Sequence, residues 1–225
     1  MSEKRSIFEE VDIADASSKK VKNNVEIINS NKALQIWLLV LFILVAAMIV
    51  VGGLTRLTDS GLSITEWKPL TGALPPLSLE VWQLEFDKYK TIPEFSIQNK
   101  AMTLSEFKTI YWWEWGHRQL GRVVGIVWLF GFFWLALVRK LTNLWITRSF
   151  IIGGLGGLQG AIGWWMVSSG LSGRMVDVAS YRLAVHLGLA FLILTLITWY
   201  LFQTNINDQE KIRSRRERDK SLVPL

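Results

Sequence analysis

"YWWEWGHRQLGRVVGIVW" (residues 111–128) begins like a helix entering a membrane and then breaks the usual rule for one. Glu114, His117, Arg118 and Arg122 fall within nine residues, and the apolar run that follows carries no further charge until Arg139. Ionisable groups at the edge of hydrocarbon are costly and commonly mark function. Working outward, three more apolar runs of about 20 residues appear, the length that crosses roughly 30 Å of bilayer core. The four spans run approximately over 33–53, 115–138, 149–169 and 182–202. None alternates with the polar face of a helix lying on a soluble core. The expected fold is all-α and integral to the membrane: a four-helix transmembrane bundle with a long outer loop.

Composition agrees. Half of the residues are hydrophobic and there are 12 Trp. The chain has no cysteine, which excludes structural disulfides, iron–sulfur clusters and thiolate catalysis. Residues 1–32 hold six acids among six Lys/Arg, unlike a signal or transit peptide, so the first span is expected to be an uncleaved anchor behind a disordered or loosely helical tail. The N-tail, the turn at 139–148 and the C-tail carry 15 Lys/Arg, against eight in the segments 54–113 and 170–182. By the positive-inside rule both tails are cytoplasmic, and a bacterial inner membrane is the simplest home. The expected units are a polar tail over 1–32, a four-span bundle over 33–203 and a basic tail over 204–225. The net charge of +6 belongs to these flanks, where anionic lipid is the expected partner. "RSRRERDK" (213–220) reads as a stop signal at the membrane, and no nucleic-acid partner is expected.

The outer loop, 54–113, is too long for a passive connector. It opens on the Pro/Gly-rich "WKPLTGALPPLS" (67–78). In "SLEVWQLEFDKYK" (78–90), Leu79, Trp82, Phe86 and Tyr89 recur at helical spacing, which predicts a short amphipathic helix on the outer surface. Thr103 and Glu106 have capping-box spacing, so a further helix starts there and is free of proline into the second span. The third span carries a glycine stripe, Gly153, Gly156, Gly160 and Gly163. Such a stripe admits a neighbouring backbone, its ordinary use, or a flat ligand.

The chain has only two histidines, His117 and His186. Each lies about one turn into a span that enters from the same side, so both imidazoles sit at one depth. Two neutral imidazoles facing each other at one level are the axial pair of a six-coordinate haem. Packing through ordinary hydrogen bonds is the plainer reading of either histidine taken singly. A di-iron centre would use the Glu114-x-x-His117 spacing but needs several more inward carboxylates, and zinc needs a third ligand. Gly121 and Gly125, one and two turns beyond His117, clear a strip where a porphyrin can lie. Glu114 shares a face with His117, where it can steer a proton or stabilise positive charge on an oxidised carbon; pairing with Arg118 at i+4 is the alternative. Arg118, Arg122 and Arg182 are candidates for haem propionates, or snorkel to head groups.

Four stretches, "GGLTRLTDSGLSITEWKPLTGALPP" (52–76), "EWGHRQLGRVVG" (114–125), "GGLQGAIGWWMVSSGL" (156–171) and "SYRLAVHLGLA" (180–190), closely resemble the haem A synthase family. The resemblance implies an oxidoreductase that hydroxylates one ring methyl of haem O twice; the hydrate loses water to give the formyl group of haem A for cytochrome oxidase assembly. It maps the Glu-x-x-His-Arg motif onto Glu114, His117 and Arg118, and the partner histidine onto His186, as catalytic and iron-binding residues. Haem O is then the substrate and haem O synthase its expected donor. The family fold is eight spans in two similar halves, the second with a haem b cofactor. This chain resembles the N-terminal, substrate-holding half of the cysteine-free branch. The second half is expected from another polypeptide or from self-association, failing which the product is an inactive fragment that binds haem without completing the hydroxylation. A bis-histidine electron carrier and a purely structural membrane protein are the alternatives.

Overall fold

The computed structural model describes the backbone of residues 7–138 and 140–205, with side chains over 32–138 and 140–204. The described residues form α1 (Ile7–Leu57), α2 (Leu79–Tyr89), α3 (Pro93–Ile97), α4 (Leu104–Leu137), α5 (Asn143–Val167) and α6 (Ser180–Asn205), plus a 3-10 turn at Thr71–Ala73 and no strand. Four segments are long and apolar enough to cross a membrane: Lys32–Leu57, Leu104–Leu137, Asn143–Val167 and Ser180–Thr204. The protein is an all-α, multi-pass membrane protein. The basic tail expected over 204–225 lies almost wholly outside the described residues.

All four long helices begin earlier than their apolar runs. The Thr103 hydroxyl accepts from the Glu106 backbone N–H at 3.3 Å, and Glu106 Oε2 accepts from the Thr103 N–H at 2.7 Å. This reciprocal cap starts α4 well before residue 115. Helix α5 likewise starts at Asn143, behind Thr142.

The four long helices form a ring in which α1 packs on α4 and α6, and α5 packs on the same two. Helices α4 and α6 therefore oppose each other across the diagonal. They run parallel, both starting at the end where the long loop lies. In lipid there is little hydrophobic gain from helix association, so close packing and interhelical hydrogen bonds hold the bundle. Two tryptophans do this here. Trp37 lies over Gly131 and donates from Nε1 to the Val127 carbonyl at 3.0 Å, joining α1 to α4. Trp128 lies over Gly153 and donates to the Ser149 carbonyl at 3.0 Å, joining α4 to α5.

The loop end is closed by a cap. Helix α2 is amphipathic as expected, but the face it buries is Trp82, Glu85, Phe86 and Tyr89; Leu79 stays 69% exposed. Glu85 is tolerated inside because Lys88 Nζ lies 2.9 Å and Lys68 Nζ 3.4 Å from its Oε1. Trp82 meets Tyr111 edge-on at 5.0 Å, and Phe86 lies 4.9 Å from Phe107, so α2 docks onto the start of α4.

The buried apolar residues fall into two separate clusters. One holds Leu34, Leu38, Leu41, Leu135, Ile152 and Ile197 with their neighbours, toward the short-turn end. The other holds Leu62, Ile64, Trp82, Phe86, Tyr89, Phe107 and Val167, in the cap. Between them lies a layer formed by 46–57, 112–123, 156–166 and 180–190, where apolar side chains such as Ile49, Trp115, Trp164 and Leu189 are partly buried against one cluster or the other. Both histidines are in that layer.

Candidate functional site

Each histidine is seated on a glycine of a neighbouring helix. A β-carbon added at Gly52 of α1 would lie 2.8 Å from Cε1 and 3.3 Å from Nδ1 of His117 on α4. One added at Gly163 of α5 would lie 2.9 Å from Cε1 and 3.4 Å from Nδ1 of His186 on α6. No heavier residue fits at either place without moving the ring. Gly52 is five residues and Gly163 four residues from the loop-end terminus of its helix. At 1.5 Å per residue both rings therefore sit about 6–8 Å below that end, at one level. His186 lies within electrostatic range of His117.

Nδ1 of each ring is sealed from solvent and has no hydrogen-bond partner, which is rare for a buried polar atom. His117 is bonded through neither nitrogen, whereas Nε2 of His186 lies 3.4 Å from Gln159 Nε2. Along α5, a β-carbon added at Gly156, Gly157 or Gly160 would meet nothing within 4 Å. Two imidazoles on diagonal helices, each with a glycine seat behind it, and open space beside Gly156 and Gly160 suit a flat ligand carrying a metal that takes two nitrogens. These residues fit a haem. No group of three or more His, Cys, Asp or Glu residues able to hold a bare metal ion occurs among the described residues.

Glu114 is 3% exposed and both its oxygens are occupied. Oε2 accepts from Ser63 Oγ and from the Ile64 backbone N–H, each at 2.7 Å. Oε1 accepts from Arg118 Nη2 at 2.6 Å and Nε at 3.1 Å. Of the two roles left open by the spacing, the i+4 pair with Arg118 is the one present here. Arg118 continues into the loop, donating to the carbonyls of Glu66 at 3.0 Å and Ile64 at 2.9 Å. Arg122 does the same one turn on, donating to the Pro69 and Lys68 carbonyls at 2.8 and 2.9 Å. Residues 62–72 are thus strapped along α4, and Trp67 stacks on Trp164 of α5 at 6.1 Å. Arg182 donates to the Trp165 carbonyl at 2.6 Å and so ties the start of α6 to the end of α5.

The other sequence candidates are placed as follows. Gly121 admits Met48 of α1, whose Cε would be 3.2 Å from an added β-carbon, and Gly125 faces open space. The glycine seat Gly52, the clamp residues Ser63 and Ile64, and Gln159 were not picked out from the sequence, and Gly163 was picked out only as one of a stripe. Their signal was present, as "GGL" at 52–54 and "GGLQGAIG" at 156–163, but only the packing of specific helices reveals which glycine meets which ring.

In the cap, Glu94 of α3 is 3% exposed and its Oε2 has no partner. Burial, together with the nearby charges of Glu114, Asp177 and Asp59, pushes its carboxyl up to about 8.

The family model described as cytochrome oxidase assembly protein, COX15-CtaA, matches residues 35–223. A protein of Dinoroseobacter shibae named "Heme A synthase" is 58% identical over 227 residues, covering 99% of this chain and 59% of its own length. Proteins of the same name from Paracoccus denitrificans and Cereibacter sphaeroides are 58% and 53% identical, over 86% and 99% of this chain and 51% and 57% of their own lengths. The chain thus spans between half and three-fifths of these curated relatives. No solved structure matches.

Proposed function

Because the chain belongs to the cytochrome oxidase assembly family COX15-CtaA, we propose that its bundle is the haem O-holding part of a haem A synthase. Bound haem O contributes the iron and the ring methyl that is oxidised to a formyl group. The chain contributes the enclosure. His117 and His186 would hold the haem iron through their ring nitrogens, each ring braced on its glycine. Glu114 and Arg118 fix the strap 63–66 over the loop end of the bundle, which keeps bulk water from the layer beneath. Arg118, Arg122 and Arg182 supply positive charge toward which the propionates turn, and Gly121 and Gly125 give α4 a low profile. Both termini are cytoplasmic and the membrane is a bacterial inner membrane in this reading. Haem O synthase delivers the substrate, and a second four-span unit, in the same protein or another copy, carries the haem b cofactor.

The observation that carries the proposal is the paired seating of the two imidazoles at one level on opposed helices. Its test is chemical. Membranes holding the chain together with the second four-span unit, supplied with haem O and reductant in air, are expected to accumulate hydroxylated and formyl haem. His117→Ala and His186→Ala are expected to reduce that by at least about 100-fold, the scale on which loss of a group needed in the transition state reads out. Equal product from either variant would overturn the proposal.

A further inference from the structure

The two histidines are not equivalent, and the difference lies in Gln159. Its amide Nε2 donates to the His186 backbone carbonyl at 3.0 Å. A carbonyl only accepts, so the NH₂ end of the amide must be the end that faces His186. The same nitrogen is 3.4 Å from Nε2 of the His186 ring, where it can only donate its second hydrogen. With the amide in this orientation Nε2 is the accepting nitrogen and its one lone pair faces the amide, which favours the tautomer with the proton on Nδ1, against Gly163. This tautomer is the one an Nε2 metal ligand requires.

Gln159 lies four residues before Gly163, so glycine and amide occupy one face of α5 on successive turns. The glycine removes the β-carbon that would displace the ring, and the amide orients it. Around His117 the arrangement differs. The residue four before Gly52 is Met48, whose Cε packs on Gly121, and neither nitrogen of His117 has a hydrogen-bond partner.

We infer that Gln159 is a positioning residue that presets His186 as the leading axial ligand, leaving His117 to complete the pair. The inference rests on the haem-holding reading above. A haem iron bound at Nε2 would displace the long amide contact, and the bond from Gln159 to the His186 carbonyl would keep α5 docked against this turn of α6, with Gly163 behind the ring. A hydrogen bond of this kind typically contributes 2- to 10-fold.

The test titrates the full chain in detergent with ferric haem b, which shares its iron and ring core with haem O, reading affinity and the low-spin fraction. Gln159→Leu, and Gln159→Met, which keeps the side-chain length, are expected to weaken haem binding about 3- to 10-fold and raise the high-spin fraction. The same loss is expected in a His117→Ala background, and none in a His186→Ala background. His186→Ala is also expected to weaken binding more than His117→Ala. Equal loss from Gln159→Leu in the His186→Ala background would show a general packing role and overturn the inference. So would unchanged binding in both Gln159 variants beside a wild-type chain that binds haem. Failure of the wild-type chain to bind haem would overturn the haem-holding reading itself.

Discussion

The imidazole of His117 lies against Gly52, and a β-carbon at that glycine would come within 2.8 Å of Cε1. His186 repeats the relationship on Gly163 at 2.9 Å, from the other helix pair of the ring. The bundle thus uses one device twice: a histidine on each of the opposed helices α4 and α6, and a glycine on each of the flanking helices α1 and α5.

This arrangement sets the cost of filling either seat. Gly52→Ala and Gly163→Ala are expected to displace an imidazole and cut haem affinity at least about 10-fold, equivalent to about 1.4 kcal/mol. Gly53→Ala, which meets nothing within 4 Å, is the matched control and should leave binding unchanged. Haem titration of the three variants checks this.

Glu114 governs the strap. Removing it leaves Arg118 without its carboxylate and the Ile64 backbone N–H without an acceptor in a buried setting, while Ser63 Oγ falls back on the Ser60 and Ile110 carbonyls. Breaking a buried pair by deleting one partner costs about 3–5 kcal/mol. Glu114→Ala should therefore lower the melting temperature and open residues 58–76 to protease. Glu114→Gln, which keeps one acceptor oxygen, should fall between the variant and the wild type.

Glu94 makes the cap sensitive to pH. Its carboxyl holds its proton up to about 8 when folded, against an ordinary value of 4.5. The folded state therefore binds the extra proton between those two values. Stability from this group is full below about 4.5 and declines as pH rises to about 8, by about 3–5 kcal/mol in all. Melting in detergent should show the wild type losing stability from pH 5 to pH 9, and Glu94→Gln should flatten that slope. A parallel slope in the variant would assign the effect to other groups.

Much of the fold was legible because its signals are local. The four spans follow from hydropathy, and the start of α4 from the Thr103–Glu106 cap. The histidine pair stood out because the chain has no third histidine and both lie near the same end of their spans. What escaped depends on how the loop and helices meet. Leu79 fits the apolar stripe of α2, yet Glu85 takes a buried position because Lys88, one turn on in the same helix, and Lys68 from the loop converge on it. The loop also returns along α4 and offers its carbonyls to Arg118 and Arg122, contacts that spacing along one helix does not reveal. Gly163 was visible only as part of a stripe. Its particular duty appears once α5 is set beside His186.

The most direct measurement is the spectrum of the detergent-purified chain with one equivalent of haem. The expected result is a six-coordinate, low-spin bis-imidazole spectrum that becomes high-spin in His117→Ala and in His186→Ala and vanishes in the double variant. A low-spin spectrum that persists in the double variant, or no haem band in the wild-type chain, would contradict a site built on these two rings.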